Sequence, residues 1–177
     1  MTARHEQGPG LNGPNLNTPG TREPGIYGAA TLADVERMCH DEGARLGVEV
    51  DFRQSNHEGQ LIDWIHEAGA EVEAGGMVGA VFNPGALTHT SLALHDAIKG
   101  VSLPVIELHI SNVHQREEIR HRSFISPAAR GIVVGFGIAG CPLAIKGLLD
   151  VVRPPAPDTA PGAAPDRAEA VSGATKS

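Results

Sequence analysis

Tyr27 is the only tyrosine of the 177-residue chain and stands in a Gly/Pro-rich loop, GTREPGIYG (20–28), five residues after Arg22. A phenol titrates near pH ~10, and a guanidinium held beside it favours the phenolate, so the pair has the makings of a base at neutral pH. The plainer reading is a tyrosine that caps a loop, since perturbed titratable groups mark sites only as a tendency. Further polar clusters, each directly after an apolar run, favour chemistry. RQSNHEG (53–59) follows GVEVDFR, NPGALTHTS (83–91) follows GMVGAVFN, and HISNVHQRE (109–117) follows LPVIEL.

The elements that would position these clusters alternate. Thr31 with Asp34 reads as a helix cap, and Leu32, Val35, Cys39 and Leu46 share a face, predicting a helix over 31–46. A strand follows over 47–53, then a helix over 58–74, a strand over 76–83, a helix with Thr88 as a possible cap, a strand from 103, a strand over 131–137 and a closing helix around 143–151. Regular β-α alternation in an Ala/Val/Leu/Ile-rich chain (41% hydrophobic, 3% aromatic) implies an α/β fold with a parallel sheet covered on both faces. Ligands of such sheets bind outside the carboxyl ends of the strands, where the polar clusters fall.

With NGPNLN (12–17), the motifs GTREP followed by Tyr-Gly, FRQSNHEG, DWIHEA, NPGA with THTS, and HISNVH with an RE pair stand in order. Together they make residues 11–150 resemble the type II 3-dehydroquinate dehydratases. The resemblance implies a flavodoxin-like three-layer fold, a central parallel sheet flanked by helices. It implies removal of water from 3-dehydroquinate to give 3-dehydroshikimate through an enolate, in the shikimate pathway. Tyr27 would then be the base, Arg22 its counter-charge, His109 the general acid and Asn15 the holder of a water at the enolate oxygen. Those are the roles that proton abstraction beside a carbonyl requires. Asn83, His89, Ile110, Ser111 and Arg120 would contact substrate, the Ile110 and Ser111 N–H groups receiving its carboxylate. Asp96 would reach a neighbouring subunit's site, and Glu107 would orient His109. The same resemblance implies trimers assembling into a dodecamer, and neither metal nor organic cofactor.

Composition narrows the partners. A net charge of −7 and the scarcity of aromatics argue against nucleic acid and anionic membranes, so an anionic substrate needs a locally basic pocket. The first residues, MTARHEQGPG, lack an apolar signal-type segment and no apolar stretch reaches ~18–20 residues, which favours a cytoplasmic protein. Cys39 and Cys141 read as reduced core thiols, and the nine histidines show no metal-ligand spacing. GFGIAG (135–140) fits a dinucleotide fingerprint but lies at the end of the fold with no following strand, so it reads as close helix–sheet packing. Arg116 and Arg122 read as interface charges in preference to catalytic ones, and Trp64 as core or subunit interface.

Residues 1–152 form the predicted domain. Residues 153–177, rich in Pro and Ala, cannot bury enough surface to offset their ordering entropy and read as a disordered tail. Two stretches depart from the family pattern. HEQGPGL replaces an aliphatic central strand, where Gly and Pro are poor residues, and Thr18-Pro19 replaces two apolar residues. They leave a second reading, a flavodoxin-like module that binds a shikimate-type acid without turnover. Arg22, Tyr27 and His109 favour the enzyme.

Overall fold

The computed structural model describes residues 7–16 and 31–153. Among these described residues five strands form one parallel sheet: β1 (Gln7–Asn12), β2 (Glu49–Gln54), β3 (Ala80–Asn83), β4 (Val105–His109) and β5 (Gly131–Val134). Their order is β2-β1-β3-β4-β5. The chain steps one way from β1 to β2 and the other way from β3 onward. In a flavodoxin-like sheet, that reversal opens a crevice at the carboxyl ends of β1 and β3.

Four α-helices cover the sheet among the described residues: α1 (Leu32–Leu46), α2 (Glu58–Glu73), α3 (Leu92–Gly100) and α4 (Gly140–Val152). None is long and apolar enough to cross a membrane. The Thr31 hydroxyl accepts from the Asp34 N–H at 3.2 Å, and the Asp34 carboxylate accepts from the Thr31 N–H at 2.9 Å, closing the capping box that the sequence predicts for α1. Leu61 and Ile65 of α2 and Leu94 and Ile98 of α3 pack with Leu11, Phe82 and Val105 on one face of the sheet. On the other face Val35 and Cys39 of α1 and Ala144, Ile145 and Leu148 of α4 pack with Val50, Val81 and Ile106. Neighbours such as Val81 and Phe82 point to opposite faces and are both buried, as strands covered on two sides require. Cys39 and Cys141 are buried free thiols. Trp64 is half-buried against the first cluster, with the Arg53 guanidinium 5.5 Å over its ring.

Two expectations are corrected. The apolar run 76–83 does not extend as one strand: Met77 makes only an isolated bridge to Gln7, and the ladder starts at Ala80 after Gly79 bends the chain at φ 145. Thr88 does not cap α3. That cap is Ser91, whose hydroxyl accepts from the Leu94 N–H at 2.9 Å, while Thr88 is fully buried in a 3₁₀ turn, Gly85–His89.

Gln7–Leu11 of the atypical segment lie in β1, paired in register with both neighbours (Gly10 with Phe52 and Val81). Tertiary pairing overrides its weak local propensity. What the glycines leave behind is an apolar gap of about 20 Å³, bordered by Gly8, Gly10, Val50, Val81 and α4 residues Ile145 and Leu148. A Cβ on Gly8 would meet nothing nearer than 3.8 Å, whereas one on Gly10 would come within 3.2 Å of Phe52. Gly8→Ala therefore stabilises the protein by about 0.4–1 kcal/mol through the unfolded chain's lost freedom, read as a melting temperature higher by about 1–4 °C. An unchanged or lower melting temperature would show that β1 has no usable space there.

Candidate active site

The carboxyl ends of β1, β3 and β4 carry Asn12, Asn83 and His109, and these three residues form the floor of a cleft of about 140 Å³. Two loops cross at its rim. Gly13 N–H donates to the Asn83 carbonyl at 2.8 Å, and a Cβ on Gly13 would sit 2.5 Å from the Pro84 carbonyl oxygen. Gly85 (φ 58) turns beside Pro14, so the NGPN and NPGA motifs need glycine where they touch.

Asn15 is itself in the left-handed region (φ 65) and is held from outside the loop. Its N–H donates to Asn56 Oδ1 at 3.0 Å. Gln54 Nε2 donates to the same oxygen at 3.1 Å and to the Gly13 carbonyl at 3.2 Å. FRQSNHEG thus contributes a clamp that fixes Asn15 at the cleft.

His109 and Glu107 sit two apart on β4 and therefore share a face of the sheet. His109 Nε2 lies 2.8 Å from Glu107 Oε1, and Glu107 is fully buried. Burial, the largest single influence, pushes the Glu107 carboxyl up. Hydrogen bonds from His109, Ser126 and Thr88, with the His109 charge, together outweigh it and hold the group at about 2. With Nε2 committed to Glu107, Nδ1 is the His109 nitrogen left for the cleft. The His89 ring stacks on His109 at 6.5 Å between centroids, tilted by 12°. Its Nδ1 lies 2.7 Å from the Arg122 carbonyl, which can only accept, so Nδ1 carries the hydrogen and Nε2 remains to meet a ligand.

Ile110, Ser111, Arg116 and Arg120 complete the polar side of the cleft, and Leu16, Leu32, Val35 and Ile138 form an apolar wall. The arginines make a basic patch on a chain of net charge −7, as an anionic ligand demands. Arg120 Nε is 2.8 Å from Glu117 Oε2, which orients it. The GFGIAG segment packs the sheet end closely. Gly135 and Gly137 donate N–H bonds to the carbonyls of His109 and Ile110, at 3.0 and 2.9 Å, and anchor the end of β4. Gly140 lets α4 approach Leu108, which a Cβ would meet at 3.0 Å.

The cleft thus gathers Asn15, Asn83, His89, His109, Ile110, Ser111 and Arg120, with Glu107 directly behind His109. Asp96 is exposed on α3 and is not among its lining. Tyr27, Arg22 and the tail 154–177 lie outside the described residues. Asn12 and Arg116 line the cleft without having been singled out for it. Arg116 read as an interface charge because an arginine in a polar loop carries no periodicity that shows its direction.

A doubly wound α/β domain with a basic, histidine-bearing cleft at its switch point is the class that fold and site define. The chain belongs to the class II dehydroquinases: residues 10–149 match the family model described as "Dehydroquinase class II". It is 71% identical over 123 residues to a "3-dehydroquinate dehydratase" of Variovorax paradoxus, covering 70% of this chain and 84% of that protein. It is 66% identical over 145 residues to "3-dehydroquinate dehydratase 2" of Ralstonia nicotianae, covering 82% and 94%. Among solved structures, type II dehydroquinase from Butyrivibrio crossotus superposes with a TM-score of 0.77 at 44% identity, covering 81% of this chain and 97% of that one. The Propionibacterium acnes enzyme superposes at 0.75 with 39% identity, covering 81% and 95%.

Proposed function

We propose that the cleft removes water from 3-dehydroquinate to give 3-dehydroshikimate through an enolate, with the residues gathered there in distinct roles. The activity is that of a 3-dehydroquinate dehydratase, a hydro-lyase of the shikimate pathway. Tyr27, as phenolate beside Arg22, takes the proton next to the ketone. The electron pair moves onto the ketone oxygen, where a water held by Asn15 supports it. His109 Nδ1–H protonates the hydroxyl that leaves, and the enolate collapses to the enone. The proton on Tyr27 returns to His109 through solvent, which closes the cycle. Arg120, Asn83 and His89 Nε2 meet the ring hydroxyls, and the N–H groups of Ile110 and Ser111 receive the carboxylate.

The observation that carries this reading is the family match across the very residues that build the cleft, Asn12 to Ile138. Assembly enters as part of the proposal: trimers assembled into a cytoplasmic dodecamer, in which Asp96, outside its own cleft, serves a neighbour's. The test follows the enone absorbance on adding 3-dehydroquinate, with light scattering on the same sample. Turnover by a particle of twelve chains is expected. Binding of a shikimate-type acid without enone formation would leave only a binding module, and a fully active monomer would remove Asp96 from the site.

A further inference from the structure

A buried carboxylate is costly unless its partners satisfy it, and those around Glu107 can be counted hydrogen by hydrogen. Thr88 Oγ1 is 2.5 Å from Glu107 Oε1, Ser123 Oγ is 2.9 Å from Oε1 and Ser126 Oγ is 2.5 Å from Oε2. His109 Nε2 is 2.8 Å from Oε1. A hydroxyl has one hydrogen and two lone pairs. Ser123 Oγ accepts the N–H groups of Ile125 (3.0 Å) and Ser126 (2.9 Å), so both lone pairs are taken and its hydrogen must be donated. It goes to Glu107 directly or to Thr88 Oγ1 at 2.8 Å, and in the second case Thr88 passes its own hydrogen on to Glu107. Either way this chain of donors ends on Oε1. With the His109 Nε2–H and the Ser126 hydroxyl also turned toward it, Glu107 is satisfied as a carboxylate.

We infer that Thr88, Ser123 and Ser126 are positioning residues for the reaction, holding Glu107 as a carboxylate so that His109 keeps Nε2–H turned inward and presents Nδ1 to the cleft. This rests on the assignment of His109 as the acid. The hydroxyls come from two segments remote from β4, the turn after β3 and the stretch that follows Arg120. That stretch is tied to the turn by the Phe124 N–H, which donates to the Thr88 carbonyl at 2.7 Å. Among the described residues, the other titratable or charged side chains facing the pair are His89, stacked on His109, and Arg116 and Arg120 in the cleft. None of these touches Glu107. Its charge therefore rests on His109 and the hydroxyls together, and the orientation of the acid depends on that charge. Ser123 also builds the 123–126 turn, which makes Thr88 and Ser126 the cleaner probes.

The test compares Thr88→Val, which keeps the shape and removes the hydroxyl, with Thr88→Ser, which keeps the hydroxyl, and adds Ser126→Ala, at a half-buried position. Steady-state kinetics use the full chain and 3-dehydroquinate. Thr88→Val and Ser126→Ala are expected to lower kcat about tenfold or more while KM moves less than about twofold, and Thr88→Ser recovers most of the loss. In a Glu107→Gln background, Thr88→Val costs little further, because the two changes remove one interaction. Melting curves identify a variant that fails to fold; Ser126→Ala then carries the comparison. Wild-type kcat in Thr88→Val and Ser126→Ala, with His109→Asn inactive, would overturn the role of the hydroxyls and leave the acid assigned. A loss carried by KM would place them in substrate binding and overturn it too. Full turnover in His109→Asn would overturn both readings.

Discussion

Tyr27→Phe abolishes turnover, lowering kcat by about 10³-fold or more, while a non-reacting substrate analogue binds nearly as well as to the native chain. The substitution deletes one oxygen and almost no volume, so the cleft keeps its shape and loses the group that accepts the proton. A positioned base contributes roughly 10²–10⁴-fold, and no described side chain at the cleft offers a second phenol. Leu16 and Leu32, on either side of the segment that carries Arg22 and Tyr27, both line the cleft. The resemblance assigns the role, and the cleft borders support it. Measuring kcat by enone formation and analogue affinity by calorimetry on the same preparation separates chemistry from binding. A variant with near-native kcat would take Tyr27 out of the mechanism and turn attention to His89.

Some of this molecule could be read before any fold was known, and the rest could not, for identifiable reasons. The Thr31/Asp34 box was legible because a capping box is local: both partners lie within four residues. The Glu107–His109 pair was expected from the family resemblance, and β4 realises it because i and i+2 share a face of the sheet. Thr88 and Ser91 could not be told apart because THTS offers three hydroxyls at the start of a helix, and the cap falls to Ser91 only because the 3₁₀ turn Gly85–His89 takes up Thr88. Ser123 and Ser126 carried no signal at all: their partner is sixteen and nineteen residues away, across a connection with no periodicity. The same holds for the Asn56 clamp on Asn15, formed across 41 residues by the sheet order β2-β1. Local rules reached the elements and the strand-end clusters. Contacts made by register and by crossing loops became visible only once the sheet was assembled.

Glu107→Gln lowers kcat on the order of a hundredfold while the chain still folds, because the cage can accept an amide. The glutamine oxygen takes the place of Oε1, where Thr88, Ser123 and His109 point their hydrogens, and its NH₂ replaces Oε2 facing Ser126, whose hydroxyl can turn to accept. What is lost is the negative charge that fixes His109, and charge-assisted bonds are worth roughly twice neutral ones. The same variant changes how stability follows pH. Glu107 sits at about 2 in the folded protein against an ordinary 4.5, so its contribution is present above pH ~4.5 and is lost as pH falls toward ~2. The amount is on the order of 3 kcal/mol. Urea midpoints at pH 7 and pH 3 give the comparison. The native chain is expected to lose its advantage over Glu107→Gln as pH falls, because glutamine has no proton to gain. An advantage that stays constant between the two pH values would mean that Glu107 is not held ionised, and the pairing with His109 would then have to be a neutral one.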